Sequence, residues 1–484
     1  MKLTGLKKYI CGLGVVMTLG SCQKYLNLSP ENNTYDEVFW VDANNISKAT
    51  GGAYSMLRSS LRDSRSFFIF GDLAAGNFRV GGDYWNYNSL VKAGGFKFSY
   101  APYLEGSLWN WTRFYGIINQ CNLIIDKTPN IPDEKFENGK AEKNALIAQA
   151  RFVRAYVNFY MQRVWGDILL IKESLKDPQV IPPVARASQE ETLAFCIEDL
   201  NFAIANLENG GSKAMASKGA AQALLAHVYA WKHDYQNAEK LTTDVINSNF
   251  ALEEMKDYRK IWAGQSKESI FELSMLYNTS GSEYSKDFFS AFLADPTIKG
   301  KSTSSAWLID DEVLEHYFDQ PEARFDSIAT QSGNAQNVLL RKYDNVNYYQ
   351  PNNSSEYAVS NNLVLIRLAD IYLLRAEAYF KNGKESQARA DLNKIRNRAG
   401  LASINVVGED LFMEIFRERR RELIGEGCTQ FDLIRMQLFN KLDEYSAYYS
   451  TDRINNQGYY WPLNMRDLLP QDELLTQNPW WKNH

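Results

Sequence analysis

Two stretches of this chain repeat one small–aromatic–small spacing. Ala226, Tyr229 and Ala238 are separated by 3 and 9 residues, and Ala376, Tyr379 and Ala388 by the same intervals. Each set straddles a polar break, Lys232-His233-Asp234 in one and Lys381-Asn382-Gly383 in the other. Small residues at these points let two antiparallel helices approach closely, and the tyrosine fills the groove beside them. That is the logic of a tetratricopeptide-type helix pair. The two sets stand 150 residues apart, so a simple solenoid of fixed period is not expected. Residues 250–362 between them are rich in Ser, Asn, Gly and Tyr and poor in helical periodicity. They read as a loop-rich insertion held against a helical frame, with Ile270-Phe271-Glu272-Leu273 as a short strand.

Other helices follow from caps and spacing. Thr34-x-x-Glu37 opens one helical stretch, and Ser188-x-x-Glu191 opens another that carries Leu193, Ile197, Leu200, Ile204 and Leu207 on one face. Trp109–Ile125, Ala141–Val164 and Lys218–Lys232 read as helices, and residues 62–105 as loops. Residues 409–424 form a charged helix. Its Arg419-Arg420-Arg421 run is flanked by Glu418 and Glu422 and reads as a solvated or ion-paired face. The fold class is mainly α.

The first residues read as an address. Lys2, Lys7 and Lys8 precede an apolar stretch from Tyr9 to Gly20, too short for a bilayer core, which needs about 20 residues. Leu19-Gly20-Ser21-Cys22 resembles a lipobox. Residues 1–21 are therefore expected to be a lipoprotein signal peptide, Cys22 the lipidated residue, 22–33 the tether, and 34–484 a single domain containing the 250–362 insertion. Cys121, Cys196 and Cys428 then remain, each in an apolar helical pattern and expected as a buried thiol.

Several chemistries are excluded. A net charge of −5 without a basic excess speaks against nucleic acid. Four histidines and no CxxC give metals little to bind, and no cofactor is expected. Gly300-Lys301-Ser302 lacks the earlier glycine of a phosphate loop, since Asp295 stands there. Asp310-Asp311-Glu312 reads as an acidic helix start rather than a hydrolytic carboxylate pair.

Aromatic residues are more informative. Tyr84-Trp85-Asn86-Tyr87 follows Gly81-Gly82-Asp83, and Tyr277, Tyr284 and Trp307 sit in the insertion. Glycine beside rings suits a loop that turns tightly and presents side chains outward. Flat rings with polar tips suit sugars, whose C–H faces stack while their hydroxyls find Asn or Asp. Tyr84, Trp85 and Tyr87 are expected to stack on sugar rings and Asp83 and Asn86 to bind hydroxyls. Tyr284 and Trp307 are expected to complete the platform. Peptide is the alternative ligand, with Arg79 and Lys92 as its charged contacts. A surface hydrolase and a purely structural lid rank below both. Trp109, Trp111, Trp165 and Trp231 are assigned to packing.

Three helical signatures carry a family resemblance. Ala150-Arg151-Phe152-Val153-Arg154-Ala155-Tyr156 is followed by Gly166-Asp167. Leu365-Ile366-Arg367-Leu368-Ala369-Asp370 runs into Leu374 and Ala376-Glu377-Ala378. Arg417-Glu418-Arg419-Arg420-Arg421-Glu422-Leu423 precedes Glu426-Gly427 and Phe431-Asp432-Leu433-Ile434-Arg435. With Gln477-Asn478-Pro479 near the end, the chain resembles the SusD/RagB family of outer-membrane lipoproteins. Leu169, Thr429 and Trp480 depart from the usual Pro, Arg and Gly at those positions. The resemblance implies a SusD-like fold with four tetratricopeptide-type helix pairs supporting irregular loops, and no catalysis. It implies a place at the cell surface, capping a SusC-like TonB-dependent transporter and capturing nutrient, most often glycan. It assigns no ligand residue, so the site expectations rest on the aromatic loop alone.

Overall fold

The computed structural model describes residues 36–90, 108–175, 183–275, 284–350 and 356–482. Helices of seven residues or more are numbered here as α1 to α11. Asp42 caps α1 (Ala43–Arg62), its carboxylate accepting the Asn45 N–H at 2.9 Å. The stretch expected from Thr34 is thus split, with a short turn at Asp36–Phe39 before the cap; Thr34 lies outside the described residues. α2 (Thr112–Lys127) and α3 (Gly139–Trp165) follow. α4 (Gln189–Asn206) opens on the expected capping box, in which Ser188 Oγ accepts the Glu191 N–H while the Glu191 carboxylate accepts the Ser188 N–H. Next come α5 (Lys218–Trp231) and α6 (Tyr235–Ile246), then α7 (Asp311–Tyr317) in the insertion. The series closes with α8 (Leu368–Lys381), α9 (Glu385–Arg398), α10 (Gly408–Leu423) and α11 (Thr429–Met436). Among the described residues no helix is long and apolar enough to cross a membrane.

α1 packs on α2, α3 on α4, α5 on α6 and α8 on α9, giving four helix pairs. Each pair also meets the next, through α2 on α3, α4 on α5 and α6 on α8. The two repeated motifs are therefore neighbours in space. Ala226, Ala230 and Ala238 pack with Leu374 and Ala378, and Tyr229, Tyr235 and Leu241 seal the edge. The 150-residue separation does not break the helical array; the insertion loops out and the array resumes beside it.

The insertion carries short strands, β2 (Ser269–Leu273), β3 (Trp307–Ile309), β4 (Ala329–Ser332), β5 (Asn334–Leu340), β6 (Val346–Tyr348) and β7 (Tyr357–Val359), which pair antiparallel with one another or with β1 (Phe78–Val80) and β8 (Leu363–Arg367) outside it. The pairs are β1–β3, β2–β8, β4–β5 and β6–β7. β2 is the strand expected at Ile270–Leu273. β8 runs straight into α8, which fixes the insertion to the frame.

The region expected as loop after residue 62 is more ordered than its sequence suggested. Phe67, Phe68, Ile69, Phe70 and Leu73 are all buried in consecutive helical turns, Ser66–Phe68 and Ile69–Leu73. A segment buried on every side carries no amphipathic period, so its periodicity was silent. Gly71 and Gly427 bring two backbones together there. The Asp72 carboxylate accepts the Gly427 N–H at 2.6 Å, the Gly425 N–H at 3.1 Å and the Asn77 side-chain N–H at 2.7 Å. Burial nevertheless pushes the Asp72 carboxyl up to about 6.

The charged end of α10 is ion-paired but not solvated. Glu418, Arg419, Arg420, Arg421 and Glu422 are all buried. Glu422 accepts from Arg324 at 2.7 Å, Arg367 at 2.6 Å, the Tyr258 hydroxyl at 2.7 Å and Arg398. Burial opposes its ionisation, but Arg398, Arg367, Arg324 and Lys342 together hold its carboxyl well below the usual range. Arg367 also reaches Glu268 and Glu426, Lys342 reaches Glu426, and Arg324 reaches Glu322 and Glu418. Beside this group, Asp370 accepts from Arg419 at 2.8 Å and meets His227 at 2.7 Å.

The C-terminal segment clasps the frame. Asn478 donates to Trp165 O at 3.0 Å and Trp461 O at 2.8 Å, while Gln477 bonds both the N–H and the carbonyl of Leu463. Trp109, Trp111, Trp165 and Trp231 are buried as expected, although α2 begins only after Trp111. Cys121 and Cys196 are buried; Cys428, just before α11, is partly exposed as a residue, while burial pushes its thiol well above its ordinary value.

Candidate functional site

The aromatic turn sits where β1 meets β3. Val80 pairs with Trp307 across that ladder, and the Gly81 N–H donates to Ala306 O at 2.8 Å. A Cβ on Gly81 would stand 2.4 Å from the carbonyl oxygens of both Thr303 and Ser304. Only glycine lets the chain leave β1 this close to the 303–306 backbone. It then coils through a 3-10 segment, Gly82–Leu90, which carries all five candidate residues of the first loop.

The structure sorts those residues by depth. Trp85 is 63% exposed, and Asp83 is exposed beside it. Tyr84 and Asn86 are half-buried. Tyr87 is buried. Trp307, expected on the binding surface, is fully buried at 0% exposure. It lies on a strand whose three residues are all buried. Its ring meets Tyr84 at 6.0 Å, Tyr87 at 6.3 Å and Phe292 at 5.5 Å, in edge-to-face geometry with each. Trp307 and Tyr87 are therefore the floor under the turn and not contact rings. Tyr284 opens the helical turn Tyr284–Phe289. The expectations for its side chain, and those for Tyr277, Lys92 and Cys22, lie outside the described residues.

Two polar groups hold the turn. The Asp83 carboxylate accepts the Ser305 hydroxyl, tying the turn to the 303–305 segment. The Arg65 guanidinium lies 5.6 Å from the Tyr84 ring centroid and donates to Asp287 O at 2.6 Å. Burial raises the Tyr84 hydroxyl above its ordinary value, with Arg65 opposing, so it stays a neutral donor and acceptor at physiological pH. Lys301 lies alongside, donating to Leu293 O at 2.7 Å and to Ser290 O. Burial and then the Arg65 charge push its ammonium down to about 8, against the pull of Asp83. Sequence reasoning missed Arg65, Ser305 and Lys301, because nothing in their neighbourhoods marks contact with residues 83–84.

The remaining candidates have structural roles. Arg79 donates to Gln336 O at 2.6 Å and lies 3.7 Å from Asp311, so it is engaged by the strand pair beside it. Asp310 caps α7 by accepting the Glu312 N–H at 3.1 Å. Asp310-Asp311-Glu312 is thus the helix start that the sequence suggested.

A separate cleft of about 880 Å³ opens between α7, residues 401–406, α10 and residues 441–444. None of the aromatic candidates lines it. Its rings are Tyr317, 3% exposed, and the exposed imidazole of His316.

The whole chain can be set against known proteins. A model described as the SusD family matches residues 230–481. The chain belongs to the SusD family. A second family model, described as starch-binding associating with outer membrane, matches residues 24–230. SusD-like protein P38 of Formosa agariphila is 26% identical to this SusD-family chain, covering 97% of both. A solved SusD superfamily protein of Bacteroides thetaiotaomicron superposes with a TM-score of 0.78 at 25% identity, covering 91% of this chain and 99% of that one. A laminarin binding SusD-like protein superposes at 0.74 and 22% identity, with the same coverage. The SusD-like fold of four helix pairs with an irregular insertion is thereby established.

Proposed function

We propose that this protein captures glycan at the outer membrane, with Trp85 as the principal stacking ring, and passes it to a SusC-like TonB-dependent transporter. The carrying observation is the exposure of Trp85 at 63% on a turn whose underside is locked by Tyr87 and Trp307. An exposed ring on a supported turn is suited to stacking on the C–H face of a sugar. Half-buried Tyr84 and Asn86 and exposed Asp83 surround it with hydroxyl partners. The reading is supported by the family description, starch-binding associating with outer membrane, and by the laminarin binding neighbour. The lipid anchor at Cys22 and exposure to the cell exterior belong to the same proposal, and it includes no catalytic step.

Calorimetric titration of the purified protein with laminarin, starch and their oligosaccharides tests it. One glycan class should bind saturably without product. Replacing Trp85 with Ala should then weaken binding about tenfold, since an aromatic contact contributes roughly 0.5–1.5 kcal/mol and tenfold corresponds to about 1.4. The melting temperature should stay unchanged because the ring is mostly outside the core. Unchanged affinity in that variant would remove the aromatic turn from the binding surface.

A further inference from the structure

A second cavity, of about 380 Å³, opens where the ends of α8 and α11 meet residues 437–441 and 454–459. None of the aromatic-turn residues lines it. Its volume falls within the range of small-ligand sites, about 300–1,000 Å³.

One wall is a supported ring. Phe439 stacks on Tyr449 at 3.9 Å and on Tyr459 at 5.8 Å, with interplanar angles of 26° and 15°. Phe439 and Tyr449 are buried, whereas Tyr459 is half-buried and lines the cavity. The buried rings fix the plane of Tyr459, which is the support that a stacking contact needs.

The polar lining is unsatisfied and carries one sign of charge. Gln437, Asn440, Lys381 and Lys441 line the cavity, and no carboxylate does. Among the described residues, the Gln437 and Asn440 amides and the Tyr459 hydroxyl have no hydrogen-bond partner. Lys381 has no carboxylate partner there either; its ammonium rests 3.9 Å from the Phe412 ring centroid. Lys441 pairs at 3.2 Å with Glu409, a carboxylate outside the lining and 71% exposed. Gln437 closes α11 at φ 57, a left-handed conformation that glycine or asparagine adopts more easily at a helix end. An amide-bearing side chain is kept at that turn all the same. The helix ends do not supply the missing negative charge. The Tyr379 and Phe380 carbonyls accept the Lys384 and Gly383 N–H groups, those of Leu433 and Ile434 accept from Leu438 and Gln437, and that of Arg435 meets His233. A lining that is net positive, with free amides beside a flat ring, favours a ligand that stacks, carries hydroxyls and is negatively charged.

We propose that this cavity binds an acidic sugar residue, its ring on Tyr459, its hydroxyls on Gln437 and Asn440, and its anionic group, a carboxylate or a sulfate ester, on Lys381. An aromatic acid would also stack and pair, but it would leave both amides unmatched. The site is separate from Trp85 and does not rest on the glycan reading of the aromatic turn.

Ligand-observed NMR on the full chain tests it with methyl β-glucuronide, glucose 6-sulfate, methyl β-glucoside and phenylacetate. Saturable binding of at least one acidic sugar is expected, with the neutral glucoside and phenylacetate at least tenfold weaker. Tighter glucuronide assigns the site to uronates, tighter glucose 6-sulfate assigns it to sulfated sugars, and equal binding assigns it to the shared negative charge. Tyr459→Ala should weaken the acidic sugar at least tenfold. Lys381→Gln should bring its affinity down to that of the glucoside. Lys381 is exposed, so this variant keeps the test open if the tyrosine variant fails to fold. Trp85→Ala should change nothing. Failure of both acidic sugars to bind, equal binding of the glucoside, tighter binding of phenylacetate, unchanged affinity in Lys381→Gln, or loss on Trp85→Ala would each overturn the proposal.

Discussion

Glu422→Gln is expected to destabilise the protein by about 3–5 kcal/mol, the usual result of removing one partner from a buried ion pair. The size follows from what remains. Arg324, Arg367 and Arg398 all donate to this one carboxylate, and the variant leaves them buried beside a neutral amide. Denaturant unfolding of both proteins measures the difference, and its pH dependence identifies the cause. The Glu422 carboxyl is held well below its usual 4.5 in the folded protein. The stability it adds is therefore present above about pH 4.5 and lost as pH falls through the depressed value. The gap between wild type and variant should be full at pH 7 and shrink in acid. A gap that stays constant from pH 7 to 3 would mean lost packing rather than lost charge.

Gly71→Ala should be as severe by a different route. The added Cβ would stand 2.1 Å from the carbonyl oxygen of Gly427, a clash with main chain that no rotamer relieves. Moving the two backbones apart also strains the bonds from Gly425 and Gly427 to Asp72. A buried carboxyl then loses donors, which adds about 1–3 kcal/mol to the overpacking cost of similar size. The expected loss is about 4 kcal/mol or more, with little soluble protein recovered. Gly51→Ala is the control. It lies exposed on α1 with nothing within 4 Å of the new Cβ, and should stabilise by about 0.5–1 kcal/mol. Equal behaviour of the two alanines in thermal unfolding would mean that the 71–427 contact does not constrain the fold.

Helix pairs were legible because their signals are local. Ser188 and Glu191 meet within one turn, and Ala226, Tyr229 and Ala238 meet across one hairpin. What escaped the sequence is non-local or aperiodic. The Phe67–Phe70 run is buried on every side, so no period betrayed it. The acids and bases around α10 come from six separate stretches, and a run of arginines looks the same whether its partners are water or distant glutamates. At the aromatic turn, the glycine–aromatic pattern did not separate exposed Trp85 from buried Trp307. A ring on a strand three residues long gives no alternation by which inside and outside could be told. The 880 Å³ cleft left no motif, since its lining is gathered from α7, α9, α10 and the segments 401–406 and 441–444.

The bonds from Gly425 and Gly427 to Asp72 span 353 and 355 positions of chain. Helix hairpins can form as soon as their own residues are available, but this junction must wait for nearly the entire polypeptide. A chain that ends before residue 425 therefore lacks both main-chain donors to Asp72. Such a truncated product should keep its early hairpins and be cut more readily at residues 66–77 in limited proteolysis than the full chain.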